Sequence, residues 1–308
     1  MIGVVSASYC LPAKTKNVAD WCYMQGMTNV QTQALIDSGA ETYHYISEQG
    51  ELLELASKAI GTLIDSVGIS AQDVNAIVHF NTSQCNILPP PESTVGKLRI
   101  VAKLKSAIAF SISQQNCVSG IHSLHVLQKL FTIHREWKYA IVVGVDNVLR
   151  EELRAIGLSG IHSDAASALL IGRDASAARI VATETFNDPR LIQGIHHDGR
   201  YEENDNYLWS AISVIKRVIK SAKIKAQDLA TVLPHNTNLP GWLHTLRSLN
   251  IPSTKLYQNN FSRIGHAFGS DVAINIVDSG VLKIPGKHLI FSSGIGGCFG
   301  SFVLHCGE

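Results

Sequence analysis

Residues 71–82 read Ala-Gln-Asp-Val-Asn-Ala-Ile-Val-His-Phe-Asn-Thr, and residues 226–237 read Ala-Gln-Asp-Leu-Ala-Thr-Val-Leu-Pro-His-Asn-Thr. The two segments align without a gap about half a chain length apart. Each starts with a polar turn, runs through an apolar strand and closes on the same Asn-Thr. They also occupy matching places in an alternation of strands and helices that the chain writes twice. Such a chain is expected to fold as two similar halves, 1–174 and 175–308.

The alternation itself is read from apolar periodicity. In the first half, strands are expected at 2–8, 75–80, 107–112, 139–145 and 168–171. Helices are expected at 51–67, at 94–104 and from about 117, with Cys117 in the first turn, to about 137. In the second half, strands are expected at 179–185, 230–233, 255–258, 288–292 and 299–304. Helices there are expected at 207–224, at 241–249 and from near 267. The near-continuous apolar runs predict buried strands in mainly parallel sheets, with helices on both faces. Residues 12–45 are mixed and polar, as expected for loops and short helices near a substrate entrance. The prolines at 89–91 demand irregular backbone.

Of the residues, 45% are hydrophobic and 17% charged, enough for a large core. Lysine and arginine number 26 against 25 acidic side chains. That balance argues against a nucleic-acid-binding surface or a polybasic membrane anchor. No apolar run is long enough to span a bilayer, and the opening Ile2-Gly3-Val4-Val5 lacks the basic region of a signal peptide. Six cysteines (10, 22, 85, 117, 298 and 306) are scattered without metal-binding spacing. They read as reduced thiols of a cytoplasmic protein with no metal.

Cys117 is the exception in its setting. An apolar strand, a polar turn (Ser113 to Asn116) and helical spacing from Ile121 through Leu124 and Leu127 place it at a strand-to-helix corner. In the first turn of a buried helix, unpaired amides and the helix dipole favour a thiolate. The same position also suits an ordinary buried cysteine.

In the second half, the segment after the corresponding strand carries His266, and another strand end carries His235. If the halves pack about a pseudo-twofold axis, a thiol and two imidazoles converge, one to move a proton and one to hold developing charge. Of the remaining histidines, His122 and His125 read as packing groups. The run His196-His197-Asp198 lacks a convincing third metal ligand. The loop Gly294-Ile295-Gly296-Gly297, between two apolar strands, is expected to bring backbone amides close to a ligand and to share an oxyanion hole with the Cys117 amide.

Together, the Cys117 corner, His235-x-x-Asn238, Gly265-His266 with Ser270-Asp271, Ser163-Asp164 before a strand, and the terminal glycine loop resemble the thiolase superfamily. The chain is most similar to β-ketoacyl-acyl-carrier-protein synthase III. The resemblance implies a five-layer αβαβα sandwich of two duplicated halves, a homodimer, and an acyl group loaded on Cys117. That group is then condensed with a malonyl-type thioester in fatty-acid-like or polyketide metabolism. Substrates would arrive on the phosphopantetheine of acyl-carrier protein or on coenzyme A, with no further cofactor, and Asn238 would bind substrate.

Departures from the family pattern are equally legible. His266 replaces the usual asparagine, giving a Cys-His-His set like that of chain-elongating ketosynthases. Pro240 occupies the family's cationic position, which favours a carrier-protein donor. Three other outcomes stay open at this level. They are transfer to an alcohol or amine without decarboxylation, thioester hydrolysis, and a non-catalytic partner subunit of a ketosynthase heterodimer.

Overall fold

The computed structural model describes residues 2–48, 50–83, 91–173, 175, 177–192 and 206–307. Chain order begins with β1 (Ile2–Cys10), β2 (Lys14–Asn17), α1 (Val18–Met24), α2 (Asn29–Asp37), β3 (Thr42–Tyr45) and α3 (Glu51–Val67). It continues through β4 (Val74–Phe80), α4 (Thr94–Val101), β5 (Ile108–Ile112), α5 (Ser119–Ile133), β6 (Tyr139–Asp146) and β7 (Ala165–Arg173). The remainder comprises β8 (Ala178–Asn187), α6 (Asn206–Ser221), β9 (Leu229–Leu233) and α7 (Leu239–Ser248). Last come α8 (Asn259–Arg263), α9 (Asp271–Ser279), β10 (Gly286–Gly294) and β11 (Cys298–Cys306).

The strands run in the order β5-β4-β6-β7-β1-β8-β11-β10-β9, while β2 and β3 form a separate pair. A single residue pair, Gly3 with Arg179, joins β1 to β8. The order mirrors itself about that junction: on either side a first strand is flanked by the last strand of its group. The repeated Ala-Gln-Asp segments form equivalent 3-10 turns leading into β4 and β9.

Alternate side chains on each strand face different layers. On β4, Ala76, Val78 and Phe80 pack with α5 and α9, whereas Val74 and Ile77 pack with α3 and α4. On β11, Phe302 and Leu304 face the same central helices, and Phe299 and Val303 face α6 and α7. The result is five layers, α3/α4, sheet, α5/α9, sheet and α6/α7. The central helices are apolar toward both sheets because both of their faces are covered.

Three expectations are corrected. Parallel pairing is confined to β4 with β5 and β6 and to β9 with β10; the other pairs are antiparallel. The connections from β6 to β7 and from β10 to β11 contain no crossover α-helix, so their strands reverse direction. The strand at 107–112 is not buried: β5 is the edge of the sheet, and Ile108 is 52% exposed. Residues 255–258 form no strand; a 3-10 turn at Ser253–Lys255 is followed by a lone bridge from Leu256 to Val232. The turn after Pro252 consumes the residues that a second rung would need.

The expected mixed region at 12–45 holds β2, β3 and the short helices α1 and α2. They close over a small core of Val18, Trp21, Cys22, Leu35, Tyr43 and Ile161. Of the proline run, only Pro91 lies among the described residues.

Candidate active site

Cys117 sits in a 3-10 turn, Asn116–Val118, immediately ahead of α5 rather than inside its first turn. Gln114 and Asn116 take left-handed backbone, φ 66° and 48°, which turns the chain sharply from β5 into the helix. Beyond it, Val118, Ile121, Leu124, Leu127 and Phe131 anchor α5 in the central layer.

The backbone of Cys117 is gripped by elements of the second half. Ser292 Oγ on β10 donates to its carbonyl at 2.8 Å. A Cβ on Gly294 would lie 3.2 Å from its amide nitrogen, and one on Gly269 would lie 3.0 Å from its carbonyl oxygen. The nucleophile's placement is therefore decided across the interface between the two sheets.

Two groups reach the sulfur. Thr82 Oγ1, just past β4, lies 3.5 Å from Sγ, and His266 Nε2 also lies 3.5 Å away. Asp146, at the end of β6, holds the Thr82 turn by accepting from the amides of Thr82 and Ser83 at 2.7 and 2.8 Å. Its burial, partly offset by those amides, pushes its carboxyl up to about 7.

Behind His266 stands Asp271, fully buried at the start of α9. It accepts from His266 Nδ1 at 2.5 Å, from the Ala267 amide at 2.7 Å and from the Asn236 amide at 2.7 Å. Burial opposes charge on the His266 ring, but the Asp271 carboxylate and the Cys117 sulfur outweigh it and hold the imidazole up to about 10. The ring is thus an imidazolium between a carboxylate and the thiol, with its Nε2–H directed at sulfur. Sequence reading quoted Asp271 within a motif but missed its role. The signal was there, since a carboxylate five residues after the histidine opens the next helix.

His235 lies beside His266, with ring centroids 5.3 Å apart and planes 70° apart. Hydroxyls surround it: Thr237 Oγ1 at 2.8 Å and Tyr207 OH at 3.1 Å from Nε2, and Ser293 Oγ at 3.0 Å from Nδ1. Burial, reinforced by the charged His266, holds its pKa well below the usual range, so the ring is neutral. Among the described residues His235 makes no hydrogen bond to Sγ; it flanks the imidazole that does. Tyr207 and Ser293 carried no sequence signal, and Thr237 stood out only as the end of the repeat, because their hydroxyls converge only through the packing of α6, β9 and β10.

Asn238 caps α7, its Oδ1 accepting from the Gly241 amide at 2.9 Å. Pro240 occupies the first turn of that helix, where a missing N–H costs nothing. The glycine loop is a tight hairpin in which Gly294 pairs with Cys298. Gly296 and Gly297 take φ of 84° and 78° for the turn. Packing explains Gly300, where a Cβ would meet Val118 at 2.5 Å. Asn116 Nδ2 donates to the Ile295 carbonyl and ties the loop to the cysteine corner.

Among the described residues no cluster of three or more metal-ligating side chains occurs. The run His196-His197-Asp198 lies outside the described residues. Among the described residues no helix is long and apolar enough to cross a membrane.

The five layers, the mirrored strand order and a cysteine gripped between the sheets make up a thiolase-like fold. No protein-family model matches the chain. Its sequence is 23% identical over 282 residues to β-ketoacyl-[acyl-carrier-protein] synthase III of Wolbachia pipientis subsp. Culex pipiens, covering 84% of this chain and 86% of that protein. The crystal structure of 3-oxoacyl-[acyl-carrier-protein] synthase III from Aquifex aeolicus superposes with a TM-score of 0.84 at 19% identity, covering 99% and 100% of the two chains. A priming β-ketosynthase of a polyketide pathway superposes with a TM-score of 0.83 at 15% identity, covering 100% and 97%.

Proposed function

We propose that this protein is a ketosynthase III-like acyltransferase that loads an acyl group on Cys117 and condenses it with a malonyl-type thioester. The observation that carries this reading is the contact of Cys117 Sγ with His266 Nε2 at 3.5 Å, with Asp271 fixing the far side of the ring. In the first step the sulfur attacks the donor thioester, whose thiol leaves. The malonyl unit then loses carbon dioxide, and the resulting enolate carbon attacks the acyl carbonyl and breaks the bond to Cys117. His266 and His235 supply the polar environment in which the enolate forms. The Cys117 amide and the Gly294, Ile295, Gly296 and Gly297 loop serve as the oxyanion site.

The same geometry supports a second reading, transfer to an alcohol or amine without decarboxylation. A sulfur, a charged imidazole and a carboxylate in line are the arrangement of a nucleophile activated as an ion pair, whose Nε2–H can be returned to the leaving group.

The experiment that separates them begins with intact mass after incubation with acyl thioesters. Wild type is expected to gain the acyl mass and C117A to gain none. Carbon dioxide release from a malonyl thioester then supports condensation, whereas an ester or amide formed without it supports simple transfer. An unmodified wild-type chain across a donor panel overturns both.

The substrates are carried on acyl-carrier protein or coenzyme A, and Pro240, standing where the family carries a cation, favours the carrier-protein form. The mirrored strand order supports a division into two halves, 1–174 and 175–308. The working species is a cytoplasmic homodimer whose exposed β5 edge pairs with its counterpart. Asn238 remains a substrate-binding residue through the amide nitrogen that its capping role leaves over.

A further inference from the structure

His162 is a buried histidine that neither catalytic scheme uses. It pairs with His266 in a parallel bridge, and their ring centroids lie 5.3 Å apart. Residues paired across a bridge project to the same side, and His266 projects onto the sulfur. The other face of the His162 ring is stacked on Phe268 at 4.3 Å and 18°. Phe268 holds left-handed backbone, φ 55°, a conformation that a bulky residue keeps only when its surroundings impose it.

The tautomer of His162 is set by its partner. Nδ1 lies 3.1 Å from the Arg154 carbonyl, which only accepts, so Nδ1 carries the proton. Burial, and after it the charge on His266, drives the ring well below the usual imidazole range, so it is neutral. Nε2 therefore presents a lone pair, and among the described residues no hydrogen bond reaches it. Arg154 is itself locked onto Asp164 at 3.1 Å and onto the His162 carbonyl at 3.0 Å, which fixes the ring's support.

We infer that His162 is a specificity-determining residue that selects an acyl group carrying a hydrogen-bond donor, a hydroxyl or N–H, near its thioester carbonyl. A site that pairs with a donor discriminates strongly against the analogue lacking one, because the acceptor, once enclosed by the bound acyl group, is then left desolvated and unpaired. The Thr82 hydroxyl at the sulfur and the hydroxyls around His235 make the same surroundings polar, unlike a plain alkyl tunnel. The inference rests on the acyl-Cys117 reading and adds the class of acyl group.

The test compares rates of Cys117 acylation, by intact mass, for 3-hydroxybutyryl and butyryl N-acetylcysteamine thioesters. Wild type is expected to favour the hydroxyacyl donor by about tenfold or more. H162F, whose ring keeps the stack on Phe268, is expected to lose that preference while still forming the butyryl adduct. H162Q, which restores an acceptor, is expected to recover part of it, and circular dichroism checks that each variant is folded. An equal preference in wild type and folded H162F overturns the inference and leaves the acyl-enzyme intact. Adducts with neither donor in wild type overturn the inference together with the function on which it rests.

Discussion

At the level of single residues, Asp271 is the side chain whose removal separates positioning from packing. D271N keeps the size of the side chain but removes the charge that holds the His266 imidazolium. Acylation of Cys117 is expected to slow on the order of a hundredfold, as for other carboxylate-oriented histidines. The alkaline limb of the rate profile is expected to move to lower pH, because His266 then loses its proton earlier. A purely structural role would lower the folded fraction and leave that limb in place. Stopped-flow acylation between pH 6 and 10 distinguishes the two. Asp146 acts one step further back: its Oδ1 holds the turn that brings the Thr82 hydroxyl to the sulfur.

Among the elements, the contact of β4 with its neighbours shows how closely the central layer is fitted. Phe80, the last residue of β4, is received by glycines from three other segments, Gly120 on α5, Gly144 on β6 and Gly269 before α9. A Cβ at Gly144 would run into the ring, and one at Gly269 would lie 2.7 Å from it. G144A is therefore expected to cost about 1–3 kcal/mol in urea unfolding, the usual penalty for overpacking. By contrast, Gly61 on α3 has open space around its missing Cβ. G61A is expected to gain about 0.5–1 kcal/mol from helix propensity and a less flexible unfolded chain. An equal effect at both sites would contradict the packing described here. Gly269 also borders Cys117, a Cβ there lying 3.0 Å from the Cys117 carbonyl oxygen, so the tightness of that packing helps to fix the nucleophile.

For the whole molecule, burial of charge and neutrality at one centre sets the dependence of stability on pH. His266 has a folded pKa of about 10, raised from 6.5. Its contribution is complete below 6.5 and is lost as pH rises toward 10. Three buried neutral histidines act oppositely: His79, held down to about 4, and His162 and His235, held well below 6.5. They lose stability as pH falls below 6.5, since the unfolded chain then binds protons that the folded one refuses. Asp146, raised from 3.8 to about 7, offsets one of those three on the acid side. Urea midpoints are thus expected to peak near pH 6.5, and in D271N the alkaline decline is expected to flatten. A midpoint that climbs steadily to pH 9 in wild type would contradict the charge assignment at His266.

The alternation of strands and helices, the repeat at 71 and 226, and the corner at Cys117 were legible in the amino-acid order. Each is a local pattern: periodicity, turn residues, and a cysteine between a strand and a helix. α3 was read to its ends because apolar spacing and Gly68 both mark it. Local pattern also singled out Asn238, which caps α7 after β9, and Gly265-His266, although the latter follow the helix α8 and not the strand expected at 255–258. It failed where neighbours decide. That β5 is an edge, and that β6 and β7 run antiparallel, depends on which strands lie alongside, which periodicity does not record. The choice of His266 over His235 as the contact to sulfur, and the roles of Asp271, Thr82 and His162, arise from contacts between residues far apart in the chain. Residue identity determined which chemistry was available, and the packing of the two sheets around α5 and α9 decided which groups meet.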